Sequence, residues 1–254
     1  MPIILREPFE DLTFMTPLSE GRARRLVRFA SGDLDGTMLD LGCGWAELLL
    51  RVLEAAPDAR GIGVDSDKAS IRQGMLLAQH RNLADRVTLL VGDAKMAAPE
   101  HADAVICIGA SQIWGPPVEA NQPLDYSSAL SAIRGKVSRH ARVLYGEGIW
   151  SRPPTPEAVS RLSGRPDELV TLPELIDLAV EHGFMPAAVH EATIDEWDEF
   201  ESGYSACYAT WLADHGPDHV DAAEVRERAA RQRASYFGGY RGILGMAYLG
   251  LIAI

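Results

Sequence analysis

The chain reads as an α/β protein with a doubly wound, Rossmann-like sheet carrying helices on both faces. Two observations carry that reading. Short, nearly continuous apolar runs bounded by Gly or Asp recur along residues 37–150, the pattern of parallel strands buried on both sides. Stretches with helical periodicity lie between them, as parallel strands require crossover connections.

The elements follow in order. "TPLSEGRARRLVRFA" predicts a first helix, with Ser19 as its N-cap and Leu26, Val27 and Phe29 on an apolar side. The Arg22 to Arg28 stretch within it reads as a solvated face. Strands are predicted at Met38–Leu41, Gly61–Val64, Val87–Val91, Ala104–Ile108 and Val143–Tyr145. Helices are predicted at Ala46–Ala56, stopped by Pro57, at Asp67–Arg81, and over part of Asp125–Arg134. "SRPPTPEAVSRLSGRPDE" holds four prolines and reads as an irregular linker. "TLPELIDLAVEHGF" predicts a helix: Thr171 and Glu174 stand at capping-box spacing, Pro173 comes early and Gly183 follows the end. "MPAAVHEATI" and "GILGMAYLGLIAI" read as sixth and seventh strands. Between them lies a helical insertion over about 195–240, its helical pattern running from Asp195 to Gln232.

Composition narrows the partners. The net charge is −12, with only three lysines among 24 basic residues. An acidic surface repels phosphate backbones, so nucleic acid is not expected as a partner. Three cysteines in apolar settings give no disulfide framework and suit a reducing cytosol. No apolar segment approaches the length of a membrane span, and the N-terminal apolar cluster is too short for a signal peptide. A cytoplasmic protein without membrane contact is expected, its oligomeric state open.

The chemistry gathers at the predicted strand ends. In "MLDLGCGWAELLL" the first strand ends beside Asp40 and gives way to Gly42-Cys43-Gly44. Glycine lets a backbone approach a ligand closely, and the first βα turn is the usual nucleotide site of such folds. Asp65 ends the second strand in "GIGVDSD", where an acid can accept from two ribose hydroxyls. Asp93 follows the third in "VTLLVGDAK", placed for an exocyclic amine such as that of adenine. Asp40 and Glu47 flank the glycine turn, and their carboxylates suit a cationic nucleoside better than a pyrophosphate.

With these residues in order, the sequence resembles the class I S-adenosylmethionine-dependent methyltransferases. "LDLGCGWAE" is similar to their glycine-rich motif, "GVDSD" to their ribose-binding acidic loop and "VGDA" to their adenine-contacting turn; "ADAVICIGAS" is similar to the fourth-strand motif beside the methionine moiety. The resemblance implies a seven-stranded sheet whose last strand, Ile243–Ile254, is antiparallel. It implies S-adenosylmethionine as cofactor. Asp40, Gly42, Cys43 and Gly44 would surround its aminoacyl end and Asp65 its ribose, with Ser66 next to the adenine. Asp93 would accept from the adenine amine, Ala94 would offer a backbone amide, and Gly109 would lie near the sulfonium. Two departures stand out. The family's third motif glycine is Ala46 here, which tightens the turn, and "KVSRHA" at Lys136–Ala141 replaces its usual Pro-Gly-Gly. "TPLSEGRARR", "CIGAS" and "EWDEFESGY" also resemble a group of little-characterised bacterial small-molecule methyltransferases. That likeness implies an N-terminal helical segment, residues 1–36, over the cofactor site of a main domain at 37–254.

Rival chemistries fit less well. A nicotinamide dehydrogenase of this fold would need glycine at position 47, where the chain has Glu47. A short-chain dehydrogenase would place Tyr four residues before Lys, but Val64, Val91 and Ala132 stand there. Amino-methylating enzymes on nucleic acids resemble one another in an Asp/Asn-Pro-Pro-aromatic loop. Here Pro116-Pro117 follows Gly115 and precedes Val118. No cysteine follows a proline, so covalent cytosine methylation lacks its nucleophile. A small-molecule acceptor is left.

Three further features are weighed. Trp197, Phe200, Tyr204, Tyr208 and Trp211 recur at spacings of three and four, one face of a helix that packs as core or walls a substrate. Glu147, just past the fifth strand, is the candidate general base, although in-line displacement at a sulfonium methyl needs none. His215 and His219 are four apart, but Gly216-Pro217 breaks the helix that would align them, so no metal is expected.

Overall fold

The computed structural model describes residues 3–116 and 122–254; Pro117 and Val118, which the loop comparison used, lie outside them. Seven strands form one sheet: β1 (Thr37–Leu41), β2 (Arg60–Asp65), β3 (Val87–Val91), β4 (Ala102–Ile108), β5 (Val137–Trp150), β6 (Phe184–Glu191) and β7 (Leu244–Ala253). Their order is β3-β2-β1-β4-β5-β7-β6. β1 to β5 pair in parallel, and β7 runs antiparallel between β5 and β6. The order reverses between β1 and β4, so their carboxyl ends open the crevice where such sheets hold ligands.

Alternation along the strands makes two cores. Met38, Ala104, Ile106, Leu144, Met246 and Tyr248 face one side and pack with α1 (Glu20–Ser31), α2 (Glu47–Ala55) and α3 (Lys68–His80). Leu39, Leu41, Val105, Val143, Leu249 and Leu251 face the other and pack with α5 (Tyr126–Lys136) and α7 (Leu172–Glu181). α2 opens with Glu47 and three leucines, and Leu49, Leu50 and Leu53 are all fully buried, each stabilising the fold by about 1.5–3 kcal/mol. Asp40 follows Leu39 in the pleat, so its side chain lies on the α1–α3 side.

Several boundaries differ from the sequence expectations, each for a local reason. The proline-rich linker contains α6 (Pro156–Arg161), because Thr155 accepts the Ala158 amide and Pro156 opens the first turn. A four-residue helix, α4 (Ala94–Ala97), starts on the side chain of Asp93. "KVSRHA" forms no separate loop: α5 ends at Lys136 and β5 begins at Val137, with His140 at φ 72° and a register shift against β4 between Ala102 and Ala104. Arg22 is not solvated. It is buried and forms a bidentate pair with Glu196 at 2.8 and 2.9 Å. Glu196 belongs to α8 (Ile194–His215), which with α9 (Ala222–Ser235) makes up the insertion before β7.

Candidate functional site

The turn after β1 is built from unusual backbone. Gly42, Gly44 and Ala46 all adopt left-handed conformations, at φ 73°, 53° and 59°. A Cβ at Gly42 would stand 2.6 Å from the Ala110 Cβ, so no larger residue fits without displacing the loop after β4. Ala46 carries the same handedness with a side chain, at a cost of about 1–2 kcal/mol, and caps α2 with its backbone alone.

One acidic side chain, Asp65, holds this turn against the neighbouring strand end. Oδ2 of Asp65 accepts the Gly44 amide at 2.7 Å, and Oδ1 accepts the Asp67 amide at 2.9 Å. An ionised carboxylate offers about four lone-pair sites, so both oxygens can still accept from a ligand. Asp93 caps α4 through Oδ1, which accepts the Lys95 amide at 2.8 Å. Asp40 is buried and accepts no hydrogen bond among the described residues. Burial, with the Asp65 charge adding, pushes its carboxyl up to about 8. Burial also pushes the Cys43 thiol up, with Asp40 and Asp65 adding, so that cysteine is no ready nucleophile.

These features surround one cavity of about 540 Å³. All nine residues expected around a nucleoside line it: Asp40, Gly42, Cys43, Gly44, Asp65, Ser66, Asp93, Ala94 and Gly109. Phe14, Met15, Thr16 and Leu18 close it from the N-terminal segment, and Gln112 and Ile113 from the loop after β4. Sequence reasoning missed those six. For the N-terminal four the resemblance implied only that residues 1–36 lie over the cofactor site, and the apolar spacing in "DLTFMTPLS" ahead of the first helix was the further local signal.

Two carboxylates occupy different places from those expected. Glu47 lines the cavity, but its charge is already matched by Arg51 at 2.6 Å and Arg81 at 2.7 Å. It therefore fastens α2 to α3 and is not free for a cationic ligand. Glu147 is buried away from the cavity lining. Its Oε2 accepts the Ser111 amide and its Oε1 the Gly148 amide, each at 2.9 Å. The Ser111 hydroxyl meets Tyr145 Oη at 2.6 Å beside it. Burial, outweighing these hydrogen bonds, raises the Glu147 carboxyl.

Residues 38–122 match the family described as a methyltransferase domain. The chain has the fold of the class I S-adenosylmethionine-dependent methyltransferases, and its residues 38–122 are similar to their methyltransferase domain. An S-adenosylmethionine-dependent methyltransferase from Geobacter sulfurreducens, solved in complex with S-adenosyl-L-homocysteine, is 24% identical with a TM-score of 0.82. Its match covers 97% of this chain and 96% of that one. One from Thiobacillus denitrificans, in complex with the same molecule, is 23% identical with a TM-score of 0.81 over 97% of this chain and 96% of that one. Methyltransferase ungE' of Aspergillus campestris is 27% identical over 168 residues, 64% of this chain and 45% of its own length. The chain thus spans less than half of that curated relative.

The insertion packs beside the sheet as a support. Trp197, Phe200 and Tyr204 pack edge to face, at centroid distances of 6.0 and 5.1 Å. Trp211 and Tyr208 pack with Val225 of α9 and with Ile3 and Leu5, and a Cβ at Gly203 would strike Leu12. None of the five aromatics lines the cavity, so their contacts follow the core-packing alternative. The rings of His215 and His219 belong to the same cluster, stacked at 4.1 Å and edge-on at 5.1 Å to Trp211. No helix among the described residues is long and apolar enough to cross a membrane.

Proposed function

We propose that the protein binds S-adenosylmethionine in this cavity and directs its methyl group onto a small-molecule acceptor by in-line displacement. One observation carries the reading: three acids from successive strand tips and a double-glycine turn converge on a single cavity. The cofactor fits the residues present. Gly42 and Gly44 line the cavity with bare backbone, and Asp40 is a buried carboxyl without a hydrogen-bond partner among the described residues, an environment that a cation's positive charge stabilises. Asp65 would accept from the ribose hydroxyls and Asp93 from the adenine amine, with Ser66 and the Ala94 amide alongside. Asp40 and the 42–44 turn would take the aminoacyl end, Cys43 packing under it, and Gly109 would border the sulfonium.

When bound, the cofactor supplies an electrophilic methyl on a positively charged sulfur. The protein's contribution is alignment and exclusion of water, and holding the reacting groups in line supplies much of the rate. The Phe14–Leu18 segment and the Gly109–Ile113 loop do the excluding. Glu147 is assigned to fastening that loop through Ser111, and displacement proceeds without it as a base. The acidic overall charge supports a small metabolite over nucleic acid as the acceptor.

The test is calorimetry with S-adenosylhomocysteine and NAD, then incubation with S-adenosylmethionine and a panel of acceptors. Binding of the first and not of NAD is expected, with products heavier by one CH₂ unit accompanying S-adenosylhomocysteine release. Avid binding of NAD would overturn the cofactor. Cofactor binding without release on any acceptor would favour a sensing or sequestering protein. An altered acceptor without release would favour another sulfonium chemistry.

A further inference from the structure

The segment that closes the cavity is tied down from a distant strand. Phe14, Thr16 and Leu18 line the cavity, while Pro17 lies among them in the chain. The Tyr248 hydroxyl, at the core of β7, donates its proton to the Pro17 carbonyl at 2.8 Å. Its oxygen remains free to accept, and Thr16 Oγ1 stands 2.9 Å away, so the Thr16 hydroxyl is the donor there. Both bonds of one buried hydroxyl thus go to consecutive residues of the segment. Arg22 lies over the Tyr248 ring at 6.0 Å. At the other end of the segment, the Trp45 indole donates to the Thr13 carbonyl at 2.8 Å, and Trp45 follows Gly44 in the cofactor turn.

We infer that Tyr248 is a positioning residue for cofactor binding, acting through the Phe14–Leu18 segment. The inference rests on the cofactor reading above and goes beyond it, because Tyr248 itself does not line the cavity. A buried phenol satisfied by two groups of one segment fixes that segment's height and register over the cavity. With the hydroxyl removed, the Pro17 carbonyl and Thr16 hydroxyl lose their partner, and the segment gains alternatives that leave the cavity open. Bound nucleoside then escapes faster, although the sheet around position 248 keeps its volume.

Tyr248→Phe and Thr16→Val test this against Tyr236→Phe. The last removes the hydroxyl of an equally buried tyrosine, whose bond at 2.6 Å goes to the part-exposed Asp198 of the insertion and touches nothing in the Phe14–Leu18 segment. The expected result is an S-adenosylhomocysteine dissociation constant raised about tenfold by Tyr248→Phe, which removes both hydroxyl bonds to the segment. The rise is carried by the off-rate, and Thr16→Val shifts it in the same direction. Tyr236→Phe lowers melting temperature and leaves the affinity unchanged. Ligand-free hydrogen exchange reads the cause, with the amides of Phe14, Met15, Thr16 and Leu18 exchanging faster in Tyr248→Phe alone of the two tyrosine variants. Equal affinity and exchange in all variants would overturn the inference, as would equal weakening by Tyr236→Phe. Should Tyr248→Phe fail to fold, Thr16→Val decides. If the unsubstituted protein does not bind S-adenosylhomocysteine, the cofactor reading itself falls.

Discussion

The Gly44 amide donates to Oδ2 of Asp65 at 2.7 Å, so the tip of β2 fastens the glycine turn that follows β1. One carboxylate therefore shapes the turn and also faces the cavity, and the two duties separate experimentally. Asp65→Ala removes both. S-adenosylhomocysteine affinity should fall about a hundredfold, the equivalent of two hydrogen bonds to a charged group. Asp65→Asn keeps an oxygen for Gly44 and should retain more stability than Asp65→Ala while still binding weakly. Calorimetry and thermal melts read the two effects; unchanged affinity in Asp65→Ala would refute the ribose assignment.

Asp40 makes the site sensitive to pH. Its carboxyl is raised from 3.8 unfolded to about 8 folded, so between those values the native state holds a proton that the unfolded state has released. Ligand-free stability should decline as pH rises through that window, by at most about 1.4 kcal/mol per pH unit. A cationic ligand favours the ionised form, so S-adenosylmethionine affinity should rise with pH up to about 8 and binding at pH 7 should release protons. Asp40→Asn should abolish the proton release, weaken binding and melt higher than the parent at pH 8. Calorimetry in buffers of different ionisation enthalpy measures the release directly.

Glu147 distinguishes fastening from proton transfer. A general base contributes about 10²–10⁴-fold to rate. Glu147→Gln places an amide NH₂ against one of two backbone N–H groups, and should destabilise the fold by about 1–3 kcal/mol. Turnover at a permissive temperature, followed by S-adenosylhomocysteine release, should fall by less than tenfold. A loss of about a thousandfold at intact stability would restore the carboxylate to catalysis.

The Arg22–Glu196 pair anchors α1 to the insertion. Burial pushes the Glu196 carboxyl up, but hydrogen bonds from Arg22, Ser19 and Thr193 outweigh it and hold it at about 2. A folded value below the unfolded one stabilises above about 4.5 and is lost as pH falls toward 2. Glu196→Ala should cost about 3–5 kcal/mol at neutral pH by stranding a buried guanidinium, and should flatten the acid limb of a stability–pH curve. Denaturant melts from pH 3 to 7 would show both.

The sheet and the cavity-facing acids were legible because they depend on local pattern. Apolar runs marked β1 to β5, and Asp65 and Asp93 stood where those runs ended. What stayed hidden depends on tertiary partners. Nothing in "GRARR" distinguishes Arg22, which turns inward to Glu196 across 174 positions, from its exposed neighbours. Glu47 looked available because Arg81 is 34 residues away, and Glu147 looked open because the Ser111 amide that occupies it comes from another loop. The aromatic row on α8 had the right spacing, and only its neighbours on α9 and the N-terminal segment decide between wall and core.

β7 enters between β5 and β6 after every other strand has left the ribosome. Among the described residues β6 has no other partner in the sheet, and Thr16 waits through 232 further positions for Tyr248. A nascent chain lacking residues 244–253 therefore carries an unpaired β6 and a loose N-terminal segment, however complete its glycine turn. Competence to retain a nucleoside should arrive only with the pairing of β7 between β5 and β6, and a product truncated before residue 244 should be both ligand-free and prone to edge-to-edge association.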